Sequence, residues 1–384
     1  MFHWLSKKRY GPIGLDIGAD GARILQLCLN EENLCVTAAA RWHYPLEMVA
    51  EPIHSPLRRQ MLAEAVTDLV RKGPFRGRRV VSCLRSEDVA VKNVRLPHMT
   101  EQELAKAVLW ECKDRFEFDV TGDRLHHVNA GEVRQGNEAR DEVLLMAAPE
   151  SAVSEHVAML SALRLEPHAI DAEPLALFRA YMRFLRRSAD VAAVSVIVDI
   201  GLASTKVVVA RGQTILLVKT IDLAGRKLNE QVAQELNLPY AEAVHLRSRG
   251  FEKPPAEAAA GATRPVEWSV YDAIRGQVEA LAHEVSLCLR YCAVTFRGLR
   301  PSQVTLTGGA AYDPALLRLM GEHLDCPCVI GEPLRGMEMG DIDLTGDRPS
   351  ALTEWSVAAG LALRTFPQLF CSENLRHERR RLSA

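Results

Sequence analysis

Two short segments constrain this chain more than anything else in it: Leu15-Asp16-Ile17-Gly18 near the start and Val198-Asp199-Ile200-Gly201 past the middle. Each ends an apolar, β-branched run, and each is followed, after a short polar turn, by a second such run at residues 22–27 and 206–210. One apolar-Asp-apolar-Gly match is common. Two copies, each opening a hairpin in a separate part of the chain, point to an internal duplication. The chemistry fits phosphate binding. A carboxylate at the end of a buried strand can hold a water of Mg²⁺, which keeps several waters and takes few protein ligands. The following glycine lets the turn bend until backbone N–H groups face phosphate oxygens. The plainer alternative is a pair of tight turns in duplicated sheets, with Asp as a turn residue.

The rest of the composition narrows the class. A chain of 384 residues, 48% hydrophobic and 25% charged, suggests two to three domains and can bury one or two ordinary cores. Its longest apolar stretch, 191–198, falls far short of the ~20 residues that cross a bilayer. With 47 basic and 49 acidic residues the net charge is −2, which argues against a general nucleic-acid binder. Nine cysteines follow no secretory signal and show no ligand-spaced Cys/His pairs, so a reducing compartment and buried thiols are expected. The opening Met1-Phe-His-Trp-Leu-Ser-Lys-Lys-Arg9 lacks the apolar core of a signal peptide and would touch a membrane weakly at most.

Along the chain, periodicity predicts a helix at 56–70 and strands at 79–84 and 89–96. Thr100-Glu-Gln-Glu103 has capping-box spacing and opens a helix with Leu104, Val108, Cys112 and Phe116 on one face. Strands at 125–130 and 142–148 and a helix at 151–163 complete a small α+β insert, placed at 97–165. The first half then covers 1–190. The second covers 191–370 with a subdomain at 221–300, an Ala/Pro-rich loop at 252–266 and a long helix at 269–296. A basic tail occupies 371–384.

Two further pieces bear on function. Val304-Thr-Leu-Thr307-Gly308-Gly309 reads as strand, double glycine and helix, leaving room for a base or sugar. Asp171-Ala-Glu173-Pro174 puts a carboxylate at a helix start with Pro in the first turn; alone, it only complements the helix dipole.

Taken in order, Asp16–Gly18, Glu173–Pro174, Asp199–Gly201 and Gly308–Gly309 resemble the phosphate-1, connect-1, phosphate-2 and adenosine motifs of the actin, heat-shock chaperone and sugar-kinase superfamily. Within it, Gly14-Leu-Asp-Ile-Gly18, Val94-Arg-Leu-Pro97, Ile221-Asp-Leu-Ala-Gly225 and Ala358-Ala-Gly-Leu-Ala-Leu-Arg364 resemble the PilM family of type IV pilus assembly proteins. The resemblance implies two duplicated actin-like (ribonuclease H-like) α/β halves around a nucleotide cleft. It implies ATP and Mg²⁺ as cofactors, with Asp16 and Asp199 holding the metal through water. The nucleotide would meet Gly18, Ala19 and Asp20 on one side and Gly201, Ser204 and Thr205 on the other, with Glu242, Arg247, Gly308 and Gly309 near the nucleoside. Glu173 would orient an attacking water. Asp20 and Arg247 depart from the usual small hydroxyl residue and Lys, so hydrolysis is expected to be weak or absent. The implied partner is the short cytoplasmic segment of a PilN-like inner-membrane protein, gripped by the insert with the 100–118 helix as one wall. The protein would then lie in the cytoplasm, peripheral to the inner membrane, and link its partner to other pilus components. The alternatives are a filament-forming actin-like ATPase, or a GspL-like component of a secretion or DNA-uptake system.

Overall fold

Strands β1 (Arg9–Ile17), β2 (Gly21–Asn30) and β3 (Asn33–His43) open the chain as an antiparallel meander. The computed structural model describes residues 8–366, apart from 32, 50, 53–54, 249–265, 341, 343 and 345–351. The opening residues 1–7, nearly all of the Ala/Pro-rich segment and the basic tail therefore lie outside the described residues. Helix α1 (Pro56–Lys72) starts where Ser55 caps the Arg58 N–H and Pro56 occupies the first turn, and it stops at Gly73. Strand β4 (Arg79–Leu84) returns parallel to β1.

The insert comes next: β5 (Ala90–Pro97), α2 (Glu101–Glu111), β6 (Leu125–Gln135) and β7 (Glu138–Ala147), with sheet order β5-β7-β6. The capping box at Thr100 and Glu103 is formed as its spacing predicts. Val94, Leu96, Val143 and Leu145 pack against Leu104 and Val108 of α2 and Cys112 just after it in a core of their own. Helix α3 (Glu150–Ala162) leaves this unit, because its Leu160 joins the core of Ile13, Leu15 and Val80 under the first sheet. The insert therefore spans 90–147 rather than 97–165. Strand β8 (Glu166–Ala172) pairs parallel with β4, and α4 (Glu173–Met182) follows directly.

The second half repeats the first. Strands β9 (Val194–Ile200), β10 (Thr205–Arg211) and β11 (Thr214–Ile221) form an antiparallel meander. After α5 (Gly225–Glu235), α6 (Tyr240–Ser248) and α7 (Val266–Thr295), β12 (Val304–Thr307) pairs parallel with β9. Helix α8 (Pro314–His323) leads to β13 (Cys328–Ile330), which is parallel to β12. The sheet orders β3-β2-β1-β4-β8 and β11-β10-β9-β12-β13 are the same topology written twice. Helices α5, α6 and α7 share a single core with this sheet, so 221–300 has no separate core among the described residues.

The last helix, α9 (Ser356–Leu363), is buried on every side. Its uniformly apolar surface is that of a helix packed between layers rather than on a face. It crosses β1 at Gly14, where a Cβ would sit 2.5 Å from the Ala358 carbonyl oxygen. On its other side a Cβ at Gly360 would meet the Ala176 oxygen of α4 at 1.7 Å.

Candidate functional site: a cleft between the duplicated turns

The β1–β2 and β9–β10 turns line one cleft, with a cavity volume of about 210 Å³. They are closed alike: the Gly18 N–H donates to the Gly21 oxygen at 2.9 Å, and the Gly201 N–H to the Ser204 oxygen at 3.2 Å. Asp16 pairs across the strands with Arg23, and Asp199 with Lys206. Each wall therefore presents a carboxylate, a glycine turn and a cation seven residues after the carboxylate. That spacing is present in the sequence, yet Arg23 and Lys206 read there as ordinary strand residues. A charged side chain inside an otherwise apolar strand is the signal that would have found them.

The cations are already engaged. Lys206 Nζ lies 2.7 Å from Glu173 Oε1, and Ser86 Oγ donates to Glu173 Oε2 at 2.5 Å. Burial disfavours the Lys206 charge, but Glu173 and Asp199 outweigh it and hold the ammonium firmly protonated. Arg23 Nη2 reaches Asp20 Oδ2 at 2.5 Å and Glu354 Oε2 at 3.2 Å, and Arg41 also binds Glu354. Burial works against the Asp20 charge, but Arg23 and His43 offset it and keep that carboxyl well below the usual range. Glu354 is likewise brought down to about 2, with burial overcome by His43, Arg23 and Arg41.

The two strand-end carboxylates behave oppositely. Burial pushes Asp16 up to about 7, against the pull of Arg23 and with help from Glu173, Asp20 and Asp199. Burial also raises Asp199 to about 6, with Lys206 opposing and Glu173 adding. These are carboxyls in want of a cation. Beside them Gly308 has φ +91°, and a Cβ there would lie 2.6 Å from Asp199 Oδ1, so only glycine lets β12 turn this close.

Of the residues expected at the site, Asp16, Gly18, Ala19, Asp20, Glu173, Asp199, Gly201, Ser204, Gly308 and Gly309 all line the cleft. Three do not. The Thr205 hydroxyl turns inward and donates to the Leu223 oxygen at 2.6 Å. Glu242 is exposed on α6. Arg247 is buried in a structural junction, donating to Asp313 Oδ2 at 2.8 Å, Asn229 Oδ1 at 2.5 Å and the Gly225 oxygen at 3.2 Å. It ties α6 to α5 and to the start of α8.

Duplicated sheets, facing hairpin turns and a cleft between them define an actin-like, two-lobed protein. The chain belongs to the type IV pilus assembly protein PilM family, whose pattern it matches over residues 14–366. Among solved structures it is similar to a chain of the "PilM-PilN type IV pilus biogenesis complex", with a TM-score of 0.73 and 23% identity over 92% of this chain and 98% of that one. It also resembles the ethanolamine utilization protein EutJ from Carboxydothermus hydrogenoformans (TM-score 0.50, 14% identity, 92% of this chain and 89% of that one). A third likeness is to MreB 5 of Spiroplasma citri bound to AMPPNP (TM-score 0.50, 11% identity, 96% of this chain and 99% of that one). At these identities the likenesses speak for the fold. No helix among the described residues is long and apolar enough to cross a membrane.

Proposed function

We propose that this chain is a nucleotide-binding adaptor of type IV pilus assembly, holding ATP with Mg²⁺ in the cleft and a PilN-like partner in a second groove. The observation that carries the first part is the doubled turn, with one Asp–cation pair on each wall. The residues present fit the cofactors: two carboxyls, Asp16 and Asp199, are buried side by side at the cleft, and a glycine cradle at Gly308 is one that any Cβ would fill. Among the described residues no three His, Cys, Asp or Glu side chains cluster as a dedicated metal cage. That suits an ion held through water by few carboxylates and by phosphates.

When bound, Mg²⁺ would neutralise phosphate charge in the cleft. Asp16 and Asp199 would hold its waters, and the Gly18 and Gly201 turns would offer backbone N–H groups to phosphate oxygens. Arg23 would turn from Asp20 and Glu354, and Lys206 from Glu173, toward those oxygens. The cleft carries Asp16, Asp20, Glu87, Glu173, Asp199, Asp222 and Glu354 against Arg23, Arg85 and Lys206. Bare polyphosphate is repelled by this excess of carboxylates, so the magnesium complex is the species admitted. The volume suits a phosphate chain, and the nucleoside would extend past Gly308–Gly309. Lys206 and Ser86 hold the Glu173 oxygens in the ligand-free cleft, so Glu173 would turn to an attacking water as the phosphates draw Lys206 away.

The partner groove lies where β6 and β7 of the insert meet α3, β8 and α4, with a cavity volume of about 840 Å³. Val128, Met146, Leu175 and Phe178 give it apolar walls, while Arg124, Asp171, Arg179 and Arg364 give it polar points. That mixture suits an extended peptide. Helix α2, expected as a wall, packs on the other face of the insert sheet instead. Through this partner the protein would lie in the cytoplasm against the inner membrane.

Titration calorimetry tests both sites, using Mg-ATP, ATP with EDTA, and a synthetic peptide of the N-terminal cytoplasmic segment of the organism's own PilN-like protein. The expected result is saturable Mg-ATP binding that EDTA removes, together with peptide binding. Absence of heat with Mg-ATP overturns the cleft reading, and absence of heat with the peptide overturns the groove reading.

A further inference from the structure

Helix α4 starts at the cleft and lines the groove along its length, while α9 has one end at the cleft and the other at the groove. Glu173 opens α4 and binds Lys206; two residues earlier, Asp171 lines the groove. Glu354 stands just before α9 and binds Arg23; just after α9, Arg364 lines the groove. The groove ends converge on one carboxylate. Asp171 Oδ2 lies 2.9 Å from Arg179 Nη1 and 2.7 Å from Arg364 Nη1, and the Asp171 side chain is only 1% exposed.

The two helices are also locked to each other along their length. Arg179 Nη1 donates to the Gly360 oxygen at 2.9 Å. At the same level α4 and α9 approach so closely that a Cβ on Gly360 would sit 1.7 Å from the Ala176 oxygen. Backbones in such contact cannot slide past one another, so a displacement of one helix carries the other.

We infer that the α4–α9 pair is the lever that couples the nucleotide cleft to the partner groove, with Asp171, Arg179 and Arg364 as its groove-side clasp. This rests on the two-site reading above. Phosphate oxygens that draw on Lys206 and Arg23 would leave Glu173 to Ser86 and Glu354 to Arg41, and so act on the starts of both helices at once. The partner segment would pack along α4 and at the far end of α9. Both ligands thus favour one placement of the same helix pair, and each tightens the other.

The test measures peptide affinity by calorimetry without and with saturating Mg-ATP, and Mg-ATP affinity without and with saturating peptide. The ratio of affinities is the coupling factor, and linkage requires the two ratios to agree. A factor of about 10 in favour of joint binding is expected for the wild type, within the range usual for coupled sites. Asp171→Asn, which removes the charge shared by both guanidiniums, should bring the factor to within about twofold of unity. Arg364→Lys, which keeps the charge, should retain most of it. Glu354→Gln, at the cleft end, should lower the factor by a separate route and serves if Asp171→Asn fails to fold. Because the readout is a ratio, a direct change in peptide affinity cancels. Binding of both ligands to the wild type with a factor of one, or with mutual weakening, overturns the lever while leaving both sites standing. An undiminished factor in folded Asp171→Asn also overturns it. Failure of either ligand to bind the wild type removes the two-site reading and the lever with it.

Discussion

Asp16 serves the ligand-free and the loaded protein in opposite ways. Its folded-state pKa of about 7 lies above that of an unfolded chain, so the folded form holds the extra proton. Stability from this group is therefore full below pH ~4 and is lost as pH rises toward 7. Asp199, at about 6, acts in the same sense over a slightly lower window. Asp16→Asn should then melt higher than wild type at pH 8 by roughly 1–3 kcal/mol, with the advantage shrinking toward pH 5. It should also weaken Mg-dependent nucleotide binding, since the amide oxygen can accept from a metal water but brings no negative charge. Thermal melts across pH decide this; a gain independent of pH would mean that packing rather than titration is responsible. Asp20 raises a different question, because its carboxylate sits on the guanidinium that a phosphate would need. Asp20→Ser should tighten Mg-ATP by about tenfold, the ~1.4 kcal/mol expected when a competing charge-assisted pair is removed. Unchanged affinity in calorimetry would show that Arg23 keeps Glu354 and never turns to the nucleotide.

Between elements, glycine marks where backbones touch. Gly360→Ala drives a methyl into the Ala176 carbonyl and should cost more than about 3 kcal/mol, or prevent folding. Gly276 is exposed on α7, and a Cβ added there would meet nothing within 4 Å, so Gly276→Ala should stabilise by roughly 0.5–1 kcal/mol. Urea denaturation of the pair checks the contrast; similar effects at both sites would contradict the close α4–α9 crossing. This crossing is hidden in the sequence, where Ala358-Ala-Gly-Leu-Ala-Leu reads only as an apolar helix with small residues. The duplicated strands are legible because β-branched runs ending in Asp-Ile-Gly carry both period and chemistry. Arg247 is misplaced by the sequence for the converse reason: its spacing on α6 is visible there, but Asp313, which captures it, comes from an element 66 residues away. Burial and long-range pairing leave no local mark.

Across the whole molecule, the insert joins the halves rather than hanging from one of them. Strand β7 is buried on both faces, which the sequence shows only as a continuous apolar run. Val143 and Leu145 face α2, while Leu144 and Met146 meet Leu177 and Phe178 of α4 together with Val208, Ile215 and Val218 of the second sheet. On β6, Ala130 and Val133 enter the core of the second half. Tyr291 of α7 donates to the buried Glu142 at 2.7 Å. The sequence boundary at 97–165 fails here because α3 follows the insert directly in the chain but pairs in space with β4 and β8. A unit packed this way should not unfold by itself. Leu144→Ala, fully buried at the junction, should cost about 2–5 kcal/mol. Its effect should fall on one cooperative transition, followed alike by far-ultraviolet circular dichroism and by hydrogen exchange in the insert and in β10–β11. If the insert were an independent module, Leu144→Ala would split off an early transition in which β5–β7 exchange while β10–β11 stay protected. In the joined arrangement both regions lose protection together, and the groove between them is shaped by contacts from both halves of the chain.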